Sequence, residues 1–140
     1  MILTADSSVW IAYLRGERTP ATDALDAALN SSLTTDLVLL DVVLMEILRG
    51  CRSQRELRLT DGALNGLPVQ ASGGQALARA AANIDRQLRS KGITVRSPID
   101  LLVGAWCIEN QVPLLHADRD FDGMVQHHGL RVVAAPPLAH

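Results

Sequence analysis

Three aspartates fall at alternate positions near the C-terminal end, Asp118, Asp120 and Asp122, directly after the run Leu114-Leu115-His116-Ala117. Acid this dense is a poor way to build a core. It is a good way to hold a divalent cation, because carboxylate oxygens are hard ligands. Other single acids stand where apolar patterns break. Asp6 closes Ile2-Leu3-Thr4-Ala5, and Asp100 follows the helix-start pair Ser97-Pro98. Glu46 interrupts Val42-Val43-Leu44-Met45-Glu46-Ile47-Leu48, where a lone buried acid is costly. Each acid has a structural explanation when taken alone. Asp6 can cap a helix, Asp100 can complement a helix dipole, Asp118 and Asp120 can serve a turn, and Glu46 can face solvent. If they converge, carboxylates so crowded cannot all stay ionised without a compensating charge. Oxygen-only donors, with no Cys or His cluster, favour Mg²⁺ or Mn²⁺ over zinc. A carboxylate-held Mg²⁺ commonly serves phosphate chemistry.

The elements that must position these acids alternate between strands and helices. Residues 2–6 read as a short buried strand ending at Asp6. A helix follows, capped by Ser7 or Ser8, with Val9, Trp10, Tyr13 and Leu14 on its apolar face. Residues 21–33 read as a helix and 36–40 as a second strand. Asp41 caps a helix that carries Glu46 and breaks near Gly50. Residues 53–59 form a short arginine-rich helix, followed by a loop around a short strand. The longest helical pattern opens at Ser72 and stops at Gly92. A proline-started helix carries Asp100 to about residue 110. Residues 113–116 form a strand, 120–127 a short helix and 130–133 the last strand. Short apolar strands alternating with helices indicate an α/β fold, a mainly parallel sheet covered on both faces. In such sheets ligands bind outside the carboxyl ends of the strands, and both Asp6 and Asp118 follow a strand there.

The chain of 140 residues fits one domain, read as residues 1–135 with a C-terminal tail at 136–140. Hydrophobic residues make up 48% and aromatics only 3%, so the core is aliphatic. The net charge of −2 excludes a wholesale electrostatic nucleic-acid binder. Basic residues nevertheless cluster at Arg49, Arg52, Arg55 and Arg58, and again at Arg79, Arg86, Arg89, Lys91 and Arg96. Arginine suits bidentate phosphate contacts, and an arginine-rich, lysine-poor composition is equally the mark of a GC-rich genome. Cys51 and Cys107 have no ligand spacing and read as apolar fillers. The first residues lack the basic start of a signal peptide, and no apolar run reaches the ~18 residues of a membrane span, so a cytoplasmic location is expected.

Four stretches together carry a resemblance: Leu3-Thr4-Ala5-Asp6-Ser7-Ser8-Val9-Trp10-Ile11, Met45-Glu46-Ile47-Leu48-Arg49-Gly50, Ile99-Asp100-Leu101-Leu102-Val103-Gly104-Ala105 and Leu114-Leu115-His116-Ala117-Asp118-Arg119-Asp120-Phe121-Asp122. In order and spacing the chain resembles PIN-domain ribonucleases of the VapC toxin type. His116 stands where many relatives have Thr or Ser. The resemblance implies a PIN-like three-layer sandwich and a Mg²⁺-dependent endoribonuclease, with Mn²⁺ able to substitute, cutting RNA such as tRNA. It implies Asp6, Glu46, Asp100 and Asp118 as catalytic acids, with Asp6 and Asp100 as principal metal ligands. Asp118 and Asp120 complete the metal set, and Asp122 is peripheral. Ser7 and Arg49 are expected to meet water or phosphate. A VapB-type antitoxin and a homodimer are the implied partners. Two other readings compete. A response-regulator-like phosphoacceptor needs a lysine after a late strand, and the sole lysine, Lys91, is not there. A non-catalytic RNA- or partner-binding protein of the same fold remains the alternative.

Overall fold

Two runs of apolar residues, Ile2–Ala5 (β1) and Asp36–Leu40 (β2), pair in parallel with Thr4 opposite Val38. Leu114–Leu115 (β4) flanks β1 on its other side, and Val69–Gln70 (β3) flanks β2. The sheet order is therefore β3-β2-β1-β4, all parallel. This computed structural model describes residues 2–31 and 36–133. Seven α-helices flank the sheet among them: Ser7–Leu14 (α1), Pro20–Asn30 (α2), Asp41–Arg49 (α3), Gln54–Leu64 (α4), Gln75–Ser90 (α5), Pro98–Asn110 (α6) and Asp122–His128 (α7). A 3₁₀ turn, Arg119–Phe121, precedes α7. The α/β class, the parallel sheet and the alternation agree with the sequence reading. No described helix is long and apolar enough to cross a membrane.

The core is aliphatic apart from a few large anchors. Trp10 and Phe121 are its largest fully buried side chains, beside Leu25, Leu39, Leu40 and Leu88. The two-residue strand β4 is buried throughout, which explains how so short a strand holds its place.

Several boundaries differ from the sequence reading, each for a local reason. Neither Ser7 nor Ser8 caps α1; Asp6 occupies the N-cap position and Ser7 begins the helix. Asp41 likewise lies inside α3. Its carboxylate accepts from the Ser72 amide at 3.0 Å and the Ser72 hydroxyl at 2.6 Å. That grip holds the buried Ser72 outside α5, which starts at Gln75. Helix α4 runs on past Leu59 through Gly62, because Leu64 is buried and its packing offsets the ~1 kcal/mol that a helical glycine costs. Residues 21–30 of the 21–33 pattern belong to α2, which starts one residue earlier at Pro20, while residues 32 and 33 lie outside the described residues. Residues 130–133 do not form a strand; they make one parallel bridge, Leu114 with Val132. With only two residues in β4, a longer ladder has nothing to pair with. The expected 136–140 tail lies outside the described residues.

Candidate functional site

Strand β1 delivers Asp6 to the carboxyl edge of the sheet, where its amide donates to the Leu115 carbonyl at 3.1 Å. Asp6 is 2% exposed. The Ser8 hydroxyl lies 2.9 Å from both carboxylate oxygens and donates to them. Burial pushes the Asp6 carboxyl up to about 6, against the pull of the Ser8 hydroxyl and the first-turn amides, and the charge of Asp118 adds to the rise.

Asp100 arrives from the opposite side. Pro98 starts α6 with its fixed φ, and the Asp100 amide closes the first turn onto the Ser97 carbonyl at 3.1 Å. The side chain is buried at 7% exposure. Burial, and then the charges of Asp118, Asp6, Glu46 and Asp120, push its carboxyl up to about 7. Every other acid proposed for the site thus acts on Asp100, which marks it as the electrostatic centre.

The third contribution is the turn after β4. Asp118 caps the 3₁₀ turn, its Oδ1 accepting from the Asp120 amide at 2.9 Å. The Asp118 amide donates to His116 Nδ1 at 3.3 Å. His116 packs on the buried Phe121 ring, with centroids 5.0 Å apart and planes at 47°. The residue that departs from the usual Thr or Ser thus serves as an acceptor that shapes the turn. Its Nδ1 accepts only as neutral imidazole, and burial keeps its pKa low. Asp122 is exposed and begins α7.

One carboxylate oxygen from each of Asp100, Asp118 and Asp120 lies within 4.8 Å of the others. Oxygens around an octahedral Mg²⁺ are ~2.9 Å apart when adjacent and ~4.2 Å when opposite, so the three carboxylates would have to draw together to share one cation. The donors are all carboxylate oxygens, which suits Mg²⁺ or Mn²⁺ and disfavours zinc. Asp6 is not in this triad, although its charge is felt by Asp100. Glu46, half-buried on α3, accepts from the Ser7 hydroxyl at 2.9 Å. The two are therefore linked rather than independent. Arg49 is exposed in the last turn of α3 and makes no ion pair among the described residues.

One neighbour stood out in the sequence only as a member of the second basic cluster, with no link to the acids. Arg96 Nε lies 3.7 Å from Asp120 Oδ1. The available signal was its place directly before the Ser97-Pro98 start of the helix that carries Asp100.

The PIN domain profile matches residues 4–125 of the chain. The chain is 31% identical over 121 residues to VapC ribonuclease Mb1587 of Mycobacterium bovis and, equally, to ribonuclease VapC11 of Mycobacterium tuberculosis. Each alignment covers 86% of this chain and 90% of the relative. Among solved structures, the chain is similar to one in VapBC2 of Rickettsia felis bound to a promoter DNA fragment. The TM-score is 0.74 at 14% identity, over 95% of this chain and 98% of that one. It is also similar to a chain in DNA-bound VapBC of Salmonella typhimurium, with TM-score 0.72 at 20% identity over the same shares. At these identities the structural likeness is one of fold.

Proposed function

This chain belongs to the PIN-domain family and shares the VapC ribonuclease sequence pattern over most of its length, and from that premise we propose that it is the endoribonuclease toxin of a type II toxin–antitoxin pair, using Mg²⁺ or Mn²⁺. The observation that carries the reading is the convergence of Asp100, Asp118 and Asp120 within 4.8 Å at the sheet edge that also holds Asp6.

Asp100, Asp118, Asp120 and Asp6 are the residues that would hold the cation. When bound, the cation would supply a water of lowered pKa and neutralise charge on the scissile phosphate. The chain's own groups prepare for this. Ser8 orients the Asp6 carboxylate, and the His116–Phe121 pair and the Asp118 cap set the turn that presents Asp120. Glu46 accepts a hydrogen bond from the Ser7 hydroxyl, which leaves the Ser7 oxygen able to accept from a water, so the pair can hold a nucleophile and relay its proton through Ser7 to Glu46. Arg49, at the end of the same helix, would meet a flanking phosphate of the polyanion.

The substrate is RNA, with tRNA the first to test, and the site of action is the cytoplasm. The partner is a VapB-type antitoxin, and the toxin is a homodimer. A groove of about 390 Å³ between α1, α3 and α4 supports an antitoxin seat. Ile11, Leu14, Ile47 and Leu59 supply apolar lining, and Arg15 and Arg55 outweigh the charge of Glu56 and leave it net positive, which suits an apolar segment bearing acids.

The test is cleavage of RNA by the purified chain with added Mg²⁺ or Mn²⁺, with the new ends sequenced. Asp6→Asn and Asp100→Asn should each lower the rate by ~100-fold or more. Full activity in both variants would sink the assignment.

A further inference from the structure

The linker between α5 and α6 carries Arg96 to the lip of the acid cluster. Val95 before it is buried, and Ser97 after it is the N-cap of α6, so both neighbours hold the backbone in place. The Arg96 side chain projects to 83% exposure, while Asp120, 3.7 Å away, is only 12% exposed. The other ion pairs among the described residues, Arg18–Asp23 and Arg89–Asp85, involve no site acid. Arg96 is thus the one cation paired with the cluster among the described residues.

An ion pair this long and this exposed contributes little to stability, so the fold does not account for it. Its placement fits a different task. A polyanion approaching a ring of carboxylates is repelled, and something at the lip must reverse that. A guanidinium offers a planar set of donors that matches a phosphate with two hydrogen bonds. Its exposure leaves the Arg96 side chain free to trade a weak partner for a stronger one.

Resting on the ribonuclease reading above, we propose that Arg96 is a phosphate-binding residue, which releases Asp120 and takes a backbone phosphate of the RNA beside the acid cluster. The favoured ligand is RNA rather than an acidic antitoxin segment, because Arg96 stands at the acids, where the phosphodiester must lie. The apolar groove between α1, α3 and α4 does not include it.

The test compares Arg96→Ala and Arg96→Lys in a cleavage-deficient Asp6→Asn background with Mn²⁺ present. The probe is a fluorescein-labelled RNA oligonucleotide of mixed sequence, read by anisotropy over a salt series. Arg96→Ala should weaken binding roughly fivefold to tenfold and flatten the plot of log affinity against log salt by ~0.7, the loss of about one phosphate contact on a single strand. Arg96→Lys should recover part of both. Calorimetric Mn²⁺ affinity, with RNA absent and the Arg96 substitutions made in the chain that keeps Asp6, should stay constant or tighten, since a competing cation has gone. RNA binding within about twofold of the parent, with an unchanged salt slope, overturns the proposal. So does a parallel fall in Mn²⁺ affinity, which would make Arg96 a support for Asp120. Loss of antitoxin binding alone, with RNA binding intact, assigns it to the protein partner and also overturns it. If the wild-type chain cleaves no RNA, the ribonuclease reading falls, and the binding series still decides Arg96.

Discussion

The acid edge and the arginine-bearing groove are built in opposite ways. The acids come from separate segments, β1, α3, the start of α6 and the turn after β4. Asp6 and Asp100 are buried deeply enough that their carboxyls rise to about 6 and about 7. The groove is charged by Arg15, just after α1, and by Arg55 on α4, with Glu56 beside them, and Arg52, Arg55 and Arg58, on or just before α4, are all exposed. Ser53 caps that helix through the Glu56 amide at 3.0 Å, and Glu56 reaches back to the Arg52 amide at 3.0 Å. The first region stores electrostatic strain that a bound cation would relieve. The second is solvated, unstrained and adaptable. A metal centre needs several ligands fixed in place before the ion arrives, whereas a seat for a flexible partner needs only a complementary face.

The contrast can be broken most sharply at Asp100. In the folded chain its carboxyl is raised from the ordinary 3.8 to about 7. A raised carboxyl favours the folded state through its proton; that contribution is complete below about pH 4 and is lost as pH rises through 7. The metal-free protein should therefore lose stability from pH 4 to pH 7. Asp100→Asn should stabilise it at pH 8 by about 2–4 kcal/mol and have little effect at pH 4. Added Mn²⁺ should raise the melting temperature of the wild type at pH 8, with much less effect at pH 5, where protons compete for the ligands. Thermal melts with and without metal check both signs. No gain at pH 8 would mean that the acids are not strained.

A packing test comes next. Gly104 lies on α6, the helix that carries Asp100, against the fully buried Met124 of α7. A Cβ at Gly104 would overlap the Met124 sulfur. Gly104→Ala should cost about 1–3 kcal/mol in denaturant melts, and shortening Met124 to Val in that background should return part of it. A neutral Gly104→Ala would show that the helix under the acids is looser than this packing implies.

The smallest expected effect lies in the groove. Arg55→Ala should change stability by less than ~0.5 kcal/mol while weakening the cognate antitoxin complex in a pull-down titration. A large loss of stability would contradict the picture of a solvated, unstrained face.

Much of the candidate acid cluster was legible, because its members sit at punctuation marks. Asp6 ends an apolar run, Asp100 follows Ser-Pro, and Asp118 follows a short apolar strand. Those local signals also located β1, β2 and the start of α6. They failed where a distant contact overrode local pattern. Ser72 looked like the start of α5 until Asp41 claimed it. The helix expected over 53–59 was to give way to a loop, but burial of Leu64 carries α4 on through Gly62. Residues 130–133 had strand composition, yet β4 offered no length to pair with.

The sequence by itself determined which side chains can do chemistry here: carboxylates without sulfur or imidazole partners, an aliphatic core and an arginine-rich short helix. Residue type and local spacing carry that information, because capping, periodicity and ligand hardness act over a few residues. Only the tertiary structure decided which acids share a point in space. It grouped Asp118 and Asp120 with Asp100, set Asp6 beside them under the grip of Ser8, joined Ser7 to Glu46, and brought Arg96 to the rim. The strand register and helix packing that bring these residues together are set by burial across the whole chain, and no local pattern encodes them.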